Sequence, residues 1–236
     1  NNTGESRRLI AACVAGGVAH FIFSSTATVY GEPHTLPIPE DAPTRPVNPY
    51  AASKLMTERI LSDASAASAL RHASLRYFNV AGADPQGRSG QCGPRATHLI
   101  KIACELATGK GAEMPIFGTD YATPDGTARR DYIHVSDLAL AHVAALRYLM
   151  AGGQSVTLNC GYGRGISVLE VLAVVEAVAG VKLKTVPGPR RAGDVAELVA
   201  DTTRLAATLD WRPKMAAMET IVATALEWER RLARRG

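Results

Sequence analysis

Apolar runs alternate along the chain with segments whose apolar residues recur at helical spacing. Leu9, Ile10 and Cys13 share one helical face before Gly16-Gly17, which predicts a helix over 6–15. The apolar run at 18–25 predicts a buried parallel strand. The same patterns predict strands at 74–80, 114–117, 132–135 and 156–160, and helices at 97–107, 137–150 and 168–179. Ser136 is the expected N-cap of the second of these helices, and Ser167 with Glu170 forms a capping box for the third, which ends at Gly180.

A proline-rich segment interrupts this alternation. Six prolines between Gly31 and Pro49 exclude regular structure there and predict a long loop. From Tyr50 to Ala69 the prolines vanish and apolar residues return at helical spacing, so a helix with Pro49 near its start is expected. Strands alternating with helices predict an α/β fold with a largely parallel sheet, and the last third of the chain looks like a smaller appended lobe.

Composition and charge narrow the class of protein. The 236 residues are 47% hydrophobic and 20% charged, which is typical of a globular protein. The net charge of +4 is mild; only the basic tail Arg230 to Arg235 favours nucleic-acid binding, so neither a nucleic-acid nor a membrane partner is expected. Four cysteines without a C-x-x-C pair, and a chain without a signal-peptide pattern or long apolar span, predict free thiols and a cytoplasmic protein. The spacing of His, Cys and carboxylates predicts no metal site.

Tyr50 and Lys54 are the first candidates for chemistry. They lie four residues apart on the predicted helix and therefore share one face. A tyrosine with an ordinary pKa near ~10 becomes a base at neutral pH only when a positive charge favours its phenolate, and a lysine one turn away supplies that charge. Thr26 ends the preceding predicted strand, at the sheet edge where ligands bind in such folds. The three residues complete a Thr-Tyr-Lys triad.

In this context the chain resembles the UDP-glucose 4-epimerases of the extended short-chain dehydrogenase/reductase superfamily. The matching segments are FIFSSTATVYGEP, NPYAASKLMTERIL, LRYFNVAGADP, IFGTDYATPDGTARRDYIHVSDLALAHV and GDVAELVADTTRLAATLDWRP, in family order. The resemblance implies an NAD-dependent isomerase that epimerises C4 of a UDP-sugar through a transient 4-keto intermediate. UDP-glucose and UDP-galactose are the default pair.

The resemblance also implies roles for individual residues. Tyr50 would take the proton of the 4-hydroxyl, Lys54 would bind the nicotinamide ribose and lower the pKa of Tyr50, and Thr26 would hydrogen-bond the same substrate oxygen. The implied cofactor-binding residues are Asn1, Ser24, Tyr50, Lys54 and Tyr77. The implied substrate-binding residues are Thr26, Asn79, Leu99, Phe117, Arg130, Arg191 and Asp194, with the two arginines on the diphosphate.

The family layout implies an incomplete Rossmann-like parallel sheet with helices on both faces and a smaller α/β lobe. The expected remainder of the NAD-binding domain is 1–80 and about 131–165, and the expected sugar-nucleotide lobe is 81–130 and 166–236. The Gly-rich NAD fingerprint is expected in about 100 further residues that this sequence does not contain, so this chain alone is expected to turn over poorly. The family also implies a homodimer paired through a helix bundle that includes 50–69.

Several alternatives stay open. Sugar-nucleotide 4,6-dehydratases share the triad but carry an acidic residue after the strand-end threonine; this chain has Ala27 and Thr28 there, which disfavours dehydration. Leu198 stands where the family decides tolerance of N-acetyl sugars, so UDP-N-acetylhexosamine or UDP-pentose epimerisation are alternatives. The missing fingerprint also leaves open a catalytically silent, sugar-nucleotide-binding relative.

Overall fold

The computed structural model describes residues 2–93 and 97–234 as alternating helices and strands, as an α/β fold requires. The helices are α1 (Asn2–Ala15), α2 (Pro49–Ala67), α3 (Leu99–Ala107), α4 (Val135–Met150), α5 (Val168–Ala179), α6 (Thr203–Thr208) and α7 (Met218–Ala233). The strands are β1 (His20–Thr26), β2 (Arg71–Tyr77), β3 (Asn79–Ala81), β4 (Met114–Phe117), β5 (Arg129–His134), β6 (Val156–Cys160), β7 (Gly165–Ser167), β8 (Thr185–Gly188) and β9 (Glu197–Leu198). The described residues form two compact units. Unit 1 lies within 1–78, 139–163 and 200–212, and unit 2 lies within 79–138, 164–199 and 213–236.

Unit 1 is built on a parallel sheet of strand order β1-β2-β6. Helices α1 and α2 pack on each other, and Ile10, Phe23, Leu61 and Leu70 form a buried apolar cluster. Because the three strands run parallel, their carboxyl ends, Thr26, Tyr77 and Cys160, lie at one edge of the sheet. This edge is where a parallel sheet presents functional side chains.

The proline-rich segment of unit 1 is an irregular loop, as its prolines predict. It starts after a 3-10 turn at Ala27–Tyr30, which ends at Gly31. Gly31 has φ +65, and a Cβ there would lie 2.1 Å from the carbonyl oxygen of Arg45, so only glycine fits. Further along, Ile38 forms an isolated parallel bridge with Ala200 and is fully buried.

Unit 2 combines two small sheets with a helical layer. Strand β5 pairs in parallel with β3 and β9 and antiparallel with β7, and β4 pairs in parallel with β8. Helices α3, α5 and α7 pack on one another around a core that contains Val171, Val175, Ile221 and Val222. The predicted α/β class with a mainly parallel arrangement is confirmed.

Local sequence signals set most element ends. The capping box is present: Ser167 Oγ accepts from Glu170 N, and Glu170 accepts from Ser167 N, while Gly180 ends the helix in the left-handed region. The expected N-cap at Ser136 is wrong, because α4 already begins at Val135 and the Nδ1 atom of His134 accepts the Ser136 N–H at 3.0 Å. The single strand expected at 74–80 is two strands, β2 and β3, which separate at Phe78 and join different sheets.

The compact units differ from the expected domains by two residues at 79–80 and 164–165, which fall in unit 2, and at two longer segments. Residues 131–138 fall in unit 2 and residues 200–212 in unit 1. Since these units reflect compactness and the expected domains reflect ligand roles, the assignment of roles stays a prediction. None of the described helices is both long enough and apolar enough to cross a lipid bilayer.

Candidate active site

The start of α2 brings Tyr50 and Lys54 together. Asn48 caps the helix by accepting from Ala51 N at 2.9 Å, and Pro49 occupies the first turn, where its missing N–H costs nothing. Lys54 Nζ lies 5.9 Å from the centroid of the Tyr50 ring, and Tyr50 is 47% exposed. The phenol is therefore open to a ligand and has a cation one turn away.

Lys54 is held by the end of β1. Its Nζ donates to the carbonyl oxygen of Ser24 at 2.9 Å and lies 5.1 Å from the centroid of the Phe23 ring. Burial lowers the pKa of Lys54 from its ordinary value. One of the three donors of the ammonium is used to fix its position.

Ser24 and Tyr77 form a second hydroxyl pair on neighbouring strands. The Ser24 hydroxyl hydrogen-bonds the Tyr77 phenol and lies 2.9 Å from Nε2 of His142 on α4. Burial, and then the charge of Tyr50, raise the pKa of Tyr77, whereas the hydrogen bond with Ser24 lowers it. The raised pKa favours the neutral phenol form of Tyr77. The contact with Ser24 places His142, which no sequence motif singled out, beside the predicted cofactor residues.

Thr26 ends β1 at the same sheet edge. It is 6% exposed, and its Oγ1 accepts from Thr28 N at 3.3 Å and lies 3.0 Å from Thr28 Oγ1. Its hydroxyl therefore caps the 3-10 turn that follows the strand. In register, Thr26 lies directly beside Tyr77.

A buried ionic network lies beside these residues, and sequence patterns did not reveal it. Glu58, one turn beyond Lys54, accepts a hydrogen bond from Ser25 Oγ and pairs with Arg76, whose NH2 lies 2.6 Å from Oε2. Arg76 also donates to the Tyr30 hydroxyl at 3.0 Å, which in turn donates to Asn159 at 2.7 Å. Burial alone would lower the pKa of Arg76, but Glu58 and Tyr30 outweigh it and raise the pKa.

A separate pocket of about 300 Å³ lies wholly within unit 2. Its lining combines charged and polar side chains with apolar and aromatic ones. They include six residues predicted to bind substrate: Asn79, Leu99, Phe117, Arg130, Arg191 and Asp194. These six come from β3, α3, β4, β5 and the loop after β8, so the fold of unit 2 gathers positions spread over more than 100 residues of sequence.

Two arginines set the charge of this pocket. Arg130 is 9% exposed and its NH2 lies 2.5 Å from Oδ1 of Asp194. The Arg191 guanidinium stacks over the Phe117 ring, with Cζ 4.0 Å from the centroid. A planar guanidinium suits the oxygens of a diphosphate, and an aromatic face suits a nucleobase. The pocket therefore fits a nucleoside diphosphate.

Two further expectations concern the rest of the chain. Asn1, expected to contact the cofactor, lies outside the described residues. In the part of the chain that the structure describes, no group of three or more His, Cys, Asp or Glu side chains is placed to hold a metal ion.

The chain is similar in sequence to one family of known proteins. The profile described as NAD dependent epimerase/dehydratase family matches residues 1–161. A UDP-glucose 4-epimerase of Azospirillum brasilense is 56% identical over 98% of this chain, and the match spans 67% of that protein.

Solved structures are similar over the same range. The UDP-glucose 4-epimerase of Bifidobacterium longum, solved with NAD+ and UDP, has a TM-score of 0.92 and 38% identity over 98% of this chain and 69% of its own. The UDP-Glc/GlcNAc 4-epimerase of Campylobacter jejuni has a TM-score of 0.82 and 48% identity over 98% of this chain and 70% of its own.

Proposed function

The chain belongs to the NAD dependent epimerase/dehydratase family, and from that premise we propose that it is an isomerase that epimerises C4 of a UDP-sugar. UDP-glucose and UDP-galactose are the proposed pair. The observation that carries the proposal is the unit 2 pocket, which gathers both arginines and Phe117 in one cavity. A UDP-sugar needs such a combination, because it presents a base and a diphosphate to the same site.

We assign the pocket residues as follows. Arg130 and Arg191 bind the diphosphate, Phe117 lies against the uracil ring and Asp194 accepts from the nucleotide ribose. The ion pair of Arg130 with Asp194 keeps the guanidinium in place before ligand arrives, so less rotamer freedom is lost on binding. Asn79, exposed at the start of β3, donates near the diphosphate, and Leu99 contacts the sugar side of the ligand.

We assign the proton chemistry to unit 1. Tyr50, as phenolate, takes the proton of the 4-hydroxyl, and Thr26 hydrogen-bonds the same oxygen. The ammonium of Lys54 favours the Tyr50 phenolate electrostatically. Because the Ser24 carbonyl oxygen already holds this ammonium in place, the ammonium does not have to move when the phenolate forms. The hydroxyls of Ser24 and Tyr77 are uncharged donors that orient ligand beside Tyr50.

The residues of unit 1 fit NAD. An ammonium with donors beyond the one given to Ser24, together with the hydroxyls of Ser24 and Tyr77, matches the ribose hydroxyls and carboxamide that a nicotinamide nucleotide presents. When bound, NAD supplies the hydride acceptor and donor that a change of configuration at C4 requires. Lys54, Ser24, Tyr50 and Tyr77 are the proposed contacts.

The residues after Thr26 favour epimerisation over dehydration. Elimination of water needs a further acid or base, and the two following positions are Ala27, 3% exposed, and Thr28. Neither side chain exchanges a proton near neutral pH. A dehydratase is therefore not favoured within the same family.

Cellular and assembly properties complete the proposal. We propose a cytoplasmic enzyme of galactose metabolism, in which unit 1 contributes to the NAD-binding domain and unit 2 to the sugar-nucleotide lobe. We also propose a homodimer paired through α1 and α2, which pack together and expose Leu9 and Met56, each at 56%. Apolar side chains exposed on two adjacent helices support such pairing.

The test is product analysis with UDP-galactose. The enzyme for this assay carries the dinucleotide-binding segment of a relative before residue 1. We expect UDP-glucose as product, and Tyr50→Phe should lower kcat by about 10³-fold while UDP binding is kept. Tyr148→Phe, the same change on α4, should leave kcat unaltered. A panel with UDP-N-acetylhexosamines and UDP-pentoses tests the alternative substrates, and full activity of Tyr50→Phe would overturn the assignment.

A further inference from the structure

The buried Glu58 carboxylate connects every element that carries the proposed catalytic residues of unit 1. It lies on α2, four residues after Lys54 and eight after Tyr50. Its oxygens bind Ser25 on β1 and Arg76 on β2. Each of these partners is the immediate chain neighbour of a site residue, since Ser25 precedes Thr26 and Arg76 precedes Tyr77.

Strand geometry explains why these contacts lie beside the site and not in it. Successive side chains of a strand point to opposite faces, so Ser25 and Arg76, which lie opposite each other in register, face α2. Ser24, one residue earlier, turns its hydroxyl to His142 on α4 instead. The carbonyl oxygen of Ser24 nevertheless accepts a hydrogen bond from Lys54 Nζ on α2. Helix α2 is thus attached to two consecutive residues of β1, by Lys54 and by Glu58.

The contacts of Glu58 are buried. The Glu58 and Arg76 side chains are each 8% exposed, and Ser25 is fully buried. Arg76 binds the carboxylate through both Nε and NH2, a forked geometry that fixes orientation as well as distance. Arg76 NH1 donates to the Tyr30 hydroxyl at 3.0 Å and to the Glu40 carbonyl oxygen at 3.1 Å. The Glu58 carboxylate is therefore held by two side chains, Ser25 and Arg76.

We propose that Glu58 is a positioning residue for the proposed reaction: it holds the first turns of α2 against β1 and β2, and thereby sets where Tyr50 and Lys54 stand relative to Thr26 and Tyr77. The inference rests on the proposed function of these four residues. Small displacements of a proton-transferring group lower turnover strongly, because the group must lie within hydrogen-bond reach of the atom it serves. Glu58 itself exchanges no proton with the substrate.

Glu58→Gln tests the proposal, with Glu229→Gln as its matched control. Glu229 is also a buried glutamate in an ion pair, 2.5 Å from Lys101, but it lies on α7 in unit 2. In the 236-residue chain, amide hydrogen exchange of 49–58 should quicken at least tenfold in Glu58→Gln and stay within twofold in Glu229→Gln. Unchanged exchange at 49–58 would overturn the inference whether or not the enzyme turns over.

Kinetics supply the second measurement. In the enzyme that carries a relative's dinucleotide-binding segment, Glu58→Gln should lower kcat at least tenfold and change KM for UDP-galactose less than twofold. A merely less stable protein would keep its kcat at low temperature. The milder Ser25→Ala should lower kcat severalfold. In the double variant, kcat should fall less than twofold below that of Glu58→Gln, because both substitutions remove the same contact between Ser25 and Glu58. Additive effects, or an unchanged kcat in an active parent, would contradict the proposal. An inactive parent would instead contradict the proposed function.

Discussion

Two arginine doublets at the pocket, Arg129-Arg130 and Arg190-Arg191, provide a direct test of the proposed UDP site. In each doublet one member lines the pocket and its neighbour is engaged elsewhere. Arg191 lines the pocket, whereas Arg190 pairs with Asp120 at 2.8 Å and stacks on Tyr121. Replacing either by alanine removes the same charge from nearly the same place in the chain. A difference between the two variants therefore measures contact and not net charge.

The expected sizes follow from exposure. A hydrogen bond to a charged group contributes about 1.5–3 kcal/mol, and 1.4 kcal/mol is tenfold in Kd. Arg191 is exposed, so water screens it, and Arg191→Ala should raise Kd for UDP by about 10-fold. The Arg130 side chain is 11% exposed, so Arg130→Ala should raise Kd by about 100-fold.

Isothermal titration of the 236-residue chain with UDP measures these effects, since the pocket lies within unit 2. Arg190→Ala should change Kd less than threefold. Arg129→Ala is the matched control for Arg130→Ala, because Arg129 pairs with Glu197 at 2.8 Å. Equal weakening by both members of each doublet would mean that charge alone attracts UDP. Such a result would refute the assigned pocket.

Three further predictions concern stability. Lys101→Met leaves the Glu229 carboxylate, 1% exposed, without its closest cation, so the free energy of unfolding in urea should fall by about 3 kcal/mol at pH 7; a fall below ~1 kcal/mol would contradict this. Burial lowers the pKa of His72 in the folded protein, and Glu58 partly offsets this shift. The neutral His72 side chain therefore contributes fully to stability above about pH 6.5, and this contribution is lost as the pH falls through the pKa of His72 in the folded protein. His72→Gln should therefore lose less unfolding free energy between pH 7 and pH 5, by at most ~1.4 kcal/mol per pH unit, and an identical pH profile would oppose the reasoning. Gly31→Ala places a Cβ against the Arg45 carbonyl at positive φ and should lower the melting temperature by several degrees, whereas Gly4→Ala, with open space around it, should not.

Local patterns predicted the elements well where the signal itself was local. The helix at 168–179 has its start, capping box and terminal glycine within the segment, and all three are confirmed. The strand expected at 74–80 failed at Phe78 for the opposite reason. No proline or glycine interrupts 74–80, and only the pairing of β2 with β1 and of β3 with β5 separates the two strands.

The same difference between local and long-range signals applies to the candidate site. Tyr50 and Lys54 were predictable because helical spacing alone brings them to one face. The Glu58 network was not, because its partners Ser25 and Arg76 lie 33 and 18 residues away and carry no motif. Gathering of the pocket residues in unit 2 was expected only through the family resemblance, since nothing in their spacing brings Asn79 near Asp194.

Transfer of hydrogen from C4 and its return to C4 is the central claim, and isotope labelling tests it most directly. UDP-galactose carrying deuterium at C4 is converted in ordinary water by the enzyme that carries a relative's dinucleotide-binding segment, and the UDP-glucose formed is analysed by mass spectrometry and proton NMR. The account predicts that deuterium stays at C4, because Tyr50 exchanges only the hydroxyl proton while the carbon-bound hydrogen is held within the site. Loss of deuterium to water, or a product that lacks a hydroxyl, would contradict it.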